Sequence, residues 1–331
     1  MNHDLQTTVG CVRSGDVRAL ARAISTVENR APEWSELLKA LFPHTGRARV
    51  IGMTGAPGAG KSTLVDQLAR VYRKENRTVG IIAVDPTSPY TGGAILGDRI
   101  RMQGHFSDPG IYIRSMATRG SLGGLARTTA DVTTVLDASG RNDILIETVG
   151  VGQDEIDIMR LAAITVVILV PGMGDDVQSI KAGIMEIADI FVINKSDREG
   201  AERVEREIRA LQSLAVRHDG WTPPIVKTVA SEGKGVDDLA LAIASYETYL
   251  QRENLVLKKS AENWQERLVE MLRDIMLEKA RAQFGDGNVA KLAAEVAEHK
   301  RDPYTLVEEI AGKIEREGEA GSSPGFQPES E

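Results

Sequence analysis

One short stretch of this 331-residue chain, Arg49–Thr63, carries residue types that can bind a nucleotide. Its pattern Gly55-x-x-x-x-Gly60-Lys61-Ser62 lies between an apolar run and a helix-forming run, which is the strand–loop–helix context of a P-loop. Glycines let successive backbone N–H groups converge on an anion at a helix N-terminus. We therefore expect nucleotide phosphates here, with Lys61 near the β- and γ-phosphates and the Ser62 hydroxyl on Mg²⁺. The residues predicted to contact the nucleotide are Gly55, Ala56, Pro57, Gly58, Ala59, Gly60, Lys61, Ser62 and Thr63.

A second candidate loop, Asn194-Lys195-Ser196-Asp197, ends the predicted strand 189–194. The Asp197 carboxylate can accept two hydrogen bonds from the N1–H and 2-amino groups of guanine, whereas adenine has no such donor pair. A site that pairs polar groups rejects an analogue that leaves them unpaired. The Lys195 stem can cover the base, and Asn194 can join this loop to the P-loop. The motif therefore favours GTP over ATP.

The turn after the next predicted strand, 225–229, contains Ala230 and Ser231. We expect a backbone N–H of this turn to contact the guanine oxygen. The alternative is an ordinary polar turn, because Ser and Gly are common turn residues in any protein.

Two carboxylates stand at the ends of predicted strands, Asp85 after strand 79–84 and Glu147 within strand 143–148. Ligands of α/β proteins bind at the carboxyl ends of the strands, and Mg²⁺ prefers oxygen ligands together with water. We therefore expect Asp85 and Glu147 to contact Mg²⁺ directly or through water. The alternative for each is a helix-capping role without a metal. Gly150 can supply a mobile N–H to the γ-phosphate.

Two long glycine-containing loops, 87–97 and 170–181, follow predicted strands. Long loops in a compact domain are usually functional, and nucleotide-dependent switches are segments of this kind. The pattern predicts that both loops are switches, and the first leads directly into Asp98.

Short β-rich runs alternate with helical runs between residue 49 and about residue 230, which is typical of a doubly wound, mostly parallel α/β sheet. Most of these runs are continuously apolar, as expected for strands buried on both faces. The predicted strands are 49–54, 79–84, 111–114, 143–148, 164–170, 189–194 and 225–229.

Apolar residues at helical spacing predict helical extensions on both sides of this core. The N-terminal helices form either a small domain or a layer on the flank of the core. The C-terminal helices form either a dimerisation arm or an internal helical cap. The tail is rich in Gly, Ser, Pro and Glu, so it is predicted to be disordered. The predicted parts are an N-terminal helical segment 1–45, a GTPase domain 46–250, a C-terminal arm 251–315 and a tail 316–331.

The bulk composition excludes several classes of partner. The net charge is −8 and the sequence pI about 5.4, so no basic footprint for nucleic acid or for a membrane surface is present. The single cysteine, Cys11, fits a reducing compartment. No apolar run reaches the length of a membrane span, and the N-terminus lacks the apolar core of a signal peptide. We expect a cytoplasmic protein without nucleic-acid or membrane partners.

Taken together, the motifs make the chain resemble the MeaB/ArgK family of P-loop GTPases from about residue 10 to residue 315. The resemblance implies a SIMIBI-type G domain and a homodimer with contacts in the C-terminal helices. It also implies a chaperone of adenosylcobalamin-dependent acyl-CoA mutases, especially methylmalonyl-CoA mutase, that gates cofactor loading and protects the mutase from inactivation. The resemblance depends on G-A-P-G-A-G-K-S at 55–62, V-D-P-T-S at 84–88, G-G-A-I-L-G-D-R-I-R-M at 92–102, E-T-V-G-V-G-Q at 147–153, V-P-G-M-G-D-D-V-Q-S-I-K at 170–181 and N-K-S-D at 194–197.

The resemblance also implies roles for residues in the switches. Asp85 and Asp98 would lie in the first switch near Mg²⁺, and Glu147 in the second. A third switch would bring Lys181 and Asp175 towards the nucleotide when the mutase binds. Positioning and charge neutralisation do most of the work in phosphoryl transfer. We therefore expect slow hydrolysis of GTP to GDP that the partner accelerates.

Two other functions fit a GTPase core of this type. A metallochaperone GTPase would insert a metal ion into a client, but the lone cysteine and the scattered histidines argue against it. A small-molecule kinase would transfer the γ-phosphoryl group to a substrate, but the guanine-type motif at 194–197 disfavours it.

Overall fold

A computed structural model describes residues 3–85, 108–117, 124–148, 160–172, 187–214, 217, 219–284, 286–309 and 311–312. The chain forms two compact units, Met1–Asn263 and Trp264–Glu331. The first unit contains all the described strands, and the regular elements described in the second unit are helices.

The first unit is built on a parallel sheet of seven described strands in the order β3-β2-β4-β1-β5-β6-β7. Each neighbouring pair runs parallel, and β1 lies in the centre between β4 and β5. All seven predicted strands are confirmed, with shifts of no more than a few residues at their ends. The strands are β1 Arg49–Gly55, β2 Val79–Asp85, β3 Ile111–Ala117, β4 Asp143–Glu147, β5 Ile164–Leu169, β6 Ile190–Asn194 and β7 Ile225–Thr228.

Helices of the first unit pack on both faces of this sheet. Short 3₁₀ turns follow α3 and β7, at Phe42–His44 and Ala230–Glu232. The helices are α1 His3–Arg13, α2 Val17–Glu28, α3 Trp34–Leu41, α4 Lys61–Lys74, α5 Gly124–Ala138, α6 Ala201–Leu214, α7 Val236–Arg252, α8 Val256–Phe284 and α9 Asp286–Ala297, with a further helical segment at 303–309.

The strands are buried on both faces because their apolar side chains alternate between two cores. In β2, Ile81 points into a core formed with α4 and α7, whereas Ile82 points into a core formed with α2, α3 and α5. In β5, Val166 likewise points into the core formed with α4 and α7, whereas Val167 points to the opposite face and packs with α6. Burying one such side chain contributes about 1.5–3 kcal/mol. A doubly wound sheet is the arrangement that buries both sides of these continuous apolar runs.

The N-terminal helices pack on the flank of the sheet, which decides between the two arrangements that the sequence left open. Leu20 and Ile24 of α2 are fully buried in the same core as Ile82 of β2. The Asp16 carboxylate caps the start of α2, where it accepts a hydrogen bond from the Ala19 N–H at 2.7 Å. The N-terminal helices are therefore a layer of the first unit.

Polar contacts join this layer to the core. The Asp137 carboxylate of α5 accepts backbone N–H groups from Gly46, Arg47 and Ala48, which lead into β1. The Arg114 side chain of β3 forms an ion pair with Glu28 of α2. The Asp137 contacts fix the chain just before the central strand, and the ion pair joins α2 to β3.

The second unit exposes apolar side chains along α8. Leu268, Val269 and Leu272 are 58–63% exposed in the single chain. The Asp302 carboxylate caps the helical segment 303–309, where it accepts the Thr305 N–H at 2.8 Å. The predicted tail, 316–331, lies outside the described residues. Among the described helices, none combines the length and the mean hydropathy needed to cross a membrane.

Candidate functional site

The predicted P-loop connects the central strand β1 to α4, at the carboxyl edge of the sheet. Gly55 ends β1 with φ +149°, and a Cβ there would lie 2.2 Å from the Ile168 carbonyl oxygen of β5. Gly60 precedes α4 with φ +90°, and a Cβ there would lie 2.4 Å from the Asn194 side-chain nitrogen. Glycine is required at both positions because the backbone passes directly against neighbouring groups. Glycines at these positions also allow successive backbone N–H groups to face an anion.

Lys61 begins α4 and is 6% exposed. Its ammonium group donates to the carbonyl oxygens of Gly55 at 2.7 Å and Ala56 at 3.1 Å. The ammonium therefore lies directly over the loop whose N–H groups suit a phosphate, at the positive end of a helix.

Ser62 and Glu147 form the candidate metal centre. The Ser62 hydroxyl donates to the Glu147 carboxylate at 2.5 Å, and Glu147 is 5% exposed at the end of β4. Because the hydroxyl hydrogen points to the carboxylate, the serine oxygen can present its lone pairs to a cation. Both residues supply the oxygen atoms that Mg²⁺ prefers, so this pair fits a magnesium ion.

The backbone of Asp85 ends at the same edge of the sheet. It is the last residue of β2, which pairs with β4 through Ala83 and Glu147. In the strand order β2-β4-β1, the ends that carry Asp85, Glu147 and the P-loop are consecutive. The structure therefore brings these three predicted sites to neighbouring positions.

Asn194 joins the P-loop to the loop 194–197 that is predicted to bind guanine (the guanine loop), as its position in the sequence predicts. Its side-chain nitrogen donates to the Ala59 carbonyl at 2.8 Å. Its side-chain oxygen accepts the Thr228 hydroxyl at 3.0 Å and the Ala230 N–H at 3.1 Å. The side chain is 2% exposed, so one buried amide connects three separate segments.

The remainder of the guanine loop turns sharply after β6. Lys195 has φ +55°, and its ammonium donates to the Gly58 carbonyl at 2.7 Å. The Ser196 N–H donates to the Thr228 carbonyl at 3.1 Å. Asp197 follows as an exposed carboxylate. The arrangement leaves Asp197 accessible at the surface, where an acceptor pair can meet the donors of a guanine edge.

Ala230 and Ser231 lie beside this loop in the 3₁₀ turn after β7. Ala230 is buried and its N–H already donates to Asn194, whereas Ser231 is exposed. Their predicted contact with the guanine oxygen stays a prediction. Other predicted site residues lie outside the described residues, namely Asp98, Gly150, Asp175 and Lys181.

Sequence reasoning missed Thr228, which is 1% exposed and bonds to both Asn194 and Ser196. No local motif marks it, because its contacts cross from β7 to β6. The signal lies in the strand register, which places Thr228 directly opposite Asn194.

A P-loop after the central strand β1 and an N-K-x-D loop after β6, two strands away in the sheet, are joined by a buried asparagine and together define a P-loop GTPase. The family model described as "Methylmalonyl Co-A mutase-associated GTPase MeaB" matches residues 20–284. The chain belongs to this family, and it is a GTPase. The predicted resemblance is thereby confirmed.

Individual relatives agree with this assignment. A protein of Pyrococcus abyssi that is named a GTPase is 48% identical over 306 residues, which cover 92% of this chain and 94% of the relative. GTPase ArgK of Escherichia coli is 37% identical over 254 residues, covering 74% and 77% of the two chains. A crystal structure described as LAO/AO transport system kinase matches with a TM-score of 0.71 at 26% identity, covering 95% of this chain and 99% of that one.

Proposed function

We propose that this GTPase is a chaperone of an adenosylcobalamin-dependent acyl-CoA mutase, with methylmalonyl-CoA mutase as the first candidate client. It would use GTP to gate loading of the mutase cofactor and to protect the mutase from inactivation. The observation that carries the proposal is the match of residues 20–284 to a family described as associated with that mutase. The contacts among the P-loop, β4 and the guanine loop supply a nucleotide site to drive it.

The reaction at this site is transfer of the γ-phosphoryl group of GTP to water. Lys61 would neutralise charge on the β- and γ-phosphates, and the P-loop N–H groups would orient them. Ser62 and Glu147, with Asp85, would hold Mg²⁺ directly or through water. An ion held there would neutralise part of the negative charge on the phosphates. The contacts of Lys61 with the P-loop and of Ser62 with Glu147 support these roles.

Base selection would come from the loop after β6. Asp197 would accept the N1–H and 2-amino hydrogens of guanine, the Lys195 stem would cover the base, and Asn194 would keep the loop against the P-loop. Ala230 and Ser231 would border the guanine oxygen. The support is the joining of both loops by the Asn194 side chain.

Acceleration by the partner would depend on residues of the switches. Asp98 would approach Mg²⁺, Gly150 would donate its N–H to the γ-phosphate, and Lys181 with Asp175 would reach the nucleotide when the mutase binds. The Lys181 ammonium would stabilise charge in the transition state in place of an arginine finger. Turnover of Lys181→Ala, measured with saturating mutase, tests this role, and unchanged stimulation would exclude it.

The C-terminal helices would form a homodimer arm in a cytoplasmic protein. Leu268, Leu272 and Ile275 recur at helical spacing on α8 and are 44–60% exposed in the single chain. Contiguous exposed apolar surface of this kind is typical of interaction sites. Sedimentation of the purified protein tests the arm, and a monomer at micromolar concentration would contradict it.

Protection of the mutase tests the chaperone function directly. The activity of methylmalonyl-CoA mutase is followed over time during turnover, with and without this protein and GTP. We expect slower loss of activity with the wild-type protein and no protection by Lys61→Ala, which lacks the phosphate-neutralising ammonium. Equal loss in all three reactions would contradict the proposal.

A further inference from the structure

Thr228 ends β7 and interacts with two parts of the guanine loop at once. Its hydroxyl donates to the Asn194 side-chain oxygen at 3.0 Å, and its carbonyl oxygen accepts the Ser196 N–H at 3.1 Å. Thr228 is 1% exposed and lies opposite Asn194 in the parallel register of β6 and β7. One buried residue therefore contacts both the start and the middle of the loop that carries Asp197.

The direction of these hydrogen bonds is fixed by the neighbouring backbone. The Ala230 N–H can only donate, so the group of Asn194 that meets it at 3.1 Å must be the side-chain oxygen. The Thr228 hydroxyl, facing the same oxygen, must donate as well. The Asn194 nitrogen is then directed towards the P-loop, where it donates to the Ala59 carbonyl. Two donors on one side thus determine which way the amide faces.

We infer that Thr228 is a positioning residue for guanine recognition, acting through Asn194 and through the turn at Ser196. The inference deepens the proposed base selection and rests on it. The hydroxyl holds the amide in the orientation that joins the P-loop to the base loop. The carbonyl holds the turn that presents Asp197. Thr228 thereby contributes to guanine selectivity indirectly, from the end of β7, through the two residues that it holds.

Replacing Thr228 by Val separates the hydroxyl from the shape of the side chain. Valine keeps the volume and the β-branched form, so the packing of β7 is preserved, and its carbonyl still accepts Ser196. The buried oxygen of Asn194 loses one of its two donors, which weakens the hold on the amide. The Asn194 nitrogen can still donate to the Ala59 carbonyl of the P-loop. We therefore expect the variant to bind the base more weakly and the phosphates as well as before.

Affinities for GDP and ADP test this inference, because ADP shares the phosphates and lacks the guanine edge. Calorimetry gives the GDP affinity at 25 °C, and competition against a fluorescent guanine nucleotide gives the ADP affinity. For Thr228→Val we expect about tenfold weaker GDP binding with ADP binding changed by less than about twofold. Thr228→Ser, which restores the hydroxyl, should bind GDP nearly as well as the wild type.

Thr165→Val is the matched control. Thr165 is also a buried threonine of this sheet, but it lies near the start of β5, where its N–H contacts Asp189 at the amino edge. Its GDP affinity should equal that of the wild type. If valine at 228 prevents folding, Thr228→Ala and Thr228→Ser give the same comparison, since they differ from each other only by the hydroxyl.

Three results would overturn the inference. They are GDP binding by Thr228→Val within about twofold of the wild type, an equal loss of GDP and ADP affinity, and a failure of Thr228→Ser to bind better than the variant that lacks the hydroxyl. Asp197→Ala, measured in the same assay, keeps this test distinct from the proposed base selection. Retained GDP preference in Asp197→Ala would refute the base site itself.

Discussion

The Ser62 hydroxyl and the Glu147 carboxylate are 85 residues apart in the chain and 2.5 Å apart in the structure. The contact joins the first turn of α4 to the end of β4, the strand beside the P-loop strand. It places a buried carboxylate directly behind the hydroxyl that is predicted to bind Mg²⁺. Glu147 can therefore orient this ligand and increase its negative character.

Glu147→Gln tests that role. The amide keeps the size of the side chain and loses the charge, so we expect Mg²⁺ affinity or GTP turnover to fall about 10- to 100-fold. The requirement for Mg²⁺ in turnover should shift to higher concentration, whereas GDP binding without metal should change little. Glu207→Gln on α6, where the carboxylate pairs with Arg203 at the surface, serves as the control. A normal Mg²⁺ dependence in Glu147→Gln would contradict the assignment.

Asp197→Asn should change which base is bound. Guanine offers two donors to a carboxylate, whereas xanthine carries a carbonyl where guanine has its amino group. An amide presents one acceptor and one donor, so it suits xanthine. We expect GTP affinity to fall by orders of magnitude and XTP affinity to rise, as measured by nucleotide competition. An unchanged preference for GTP over XTP would show that a residue other than Asp197 recognises the base.

Gly60→Ala and Gly58→Ala form a matched pair within the P-loop. Both glycines have left-handed backbones, which cost other residues about 1–2 kcal/mol. A Cβ at Gly58 meets nothing within 4 Å, whereas one at Gly60 would lie 2.4 Å from the Asn194 nitrogen. We therefore expect Gly60→Ala to lose about 1–3 kcal/mol more unfolding free energy than Gly58→Ala in urea titrations. Equal losses would mean that the loop and Asn194 can separate freely.

A buried ionic cluster lies at the opposite, amino edge of the sheet. Asp189, just before β6, is 1% exposed and accepts Lys259 of α8 at 2.8 Å and Arg217 at 3.1 Å. Its carboxylate also accepts the Thr165 N–H at 2.9 Å. The Lys259 ammonium contacts the Tyr246 hydroxyl at 3.0 Å. These contacts attach the first turn of α8 to the sheet.

Lys259→Met should loosen this attachment. Methionine keeps the length of the side chain and leaves Asp189 with one cation fewer, so we expect about 1–3 kcal/mol less unfolding free energy. Lys258→Met, at the exposed neighbouring position, should change it by no more than about 0.5 kcal/mol. Denaturant titrations of both variants make the comparison. Equal values for the two variants would contradict a stabilising role for the cluster.

Asp219, which pairs with Arg217 at 2.5 Å, should make stability depend on pH in acid. Burial by itself raises the pKa of Asp219, but the hydrogen bond from Arg217 and its positive charge lower the pKa below its ordinary value. The unfolded chain then binds the proton more tightly than the folded chain, so stability is lost as pH falls through the folded pKa. Unfolding free energies of wild type and Asp219→Asn, which differ at pH 7, should converge below pH 4. A constant difference would contradict this linkage.

Much of the fold could be predicted because its strands and the P-loop follow from patterns of neighbouring residues in the sequence. The seven strands are nearly continuous apolar runs, and the P-loop occupies the turn between Gly55 and Lys61 where its motif places it. The order of the strands could not be predicted, because the residues of a strand such as β3 or β7 do not indicate which strand it pairs with in the sheet. The flank position of α2 likewise depends on packing against β2, a contact remote in sequence.

The residues of the candidate site likewise include some that could be predicted from the sequence and some that could not. Lys61 and Asn194 could be predicted because their motifs are local and each has a definite chemical task. Thr228 could not, since it gains its role only by facing Asn194 across two strands. The ionic cluster at Asp189 could not be predicted either, because its cations, Arg217 and Lys259, are distant from Asp189 in the sequence. Contacts that depend on register or on distant segments are absent from single-sequence patterns.

The most direct test of the proposed chaperone function is GTP turnover measured alone and with a cobalamin-dependent acyl-CoA mutase added in increasing amounts. We predict slow turnover alone, a rise that saturates with methylmalonyl-CoA mutase, and no rise with an unrelated acyl-CoA enzyme. Lys61→Ala should remove both the basal and the stimulated rate. Turnover that stays constant across a panel of cobalamin-dependent mutases would contradict the claim that this GTPase serves such a client.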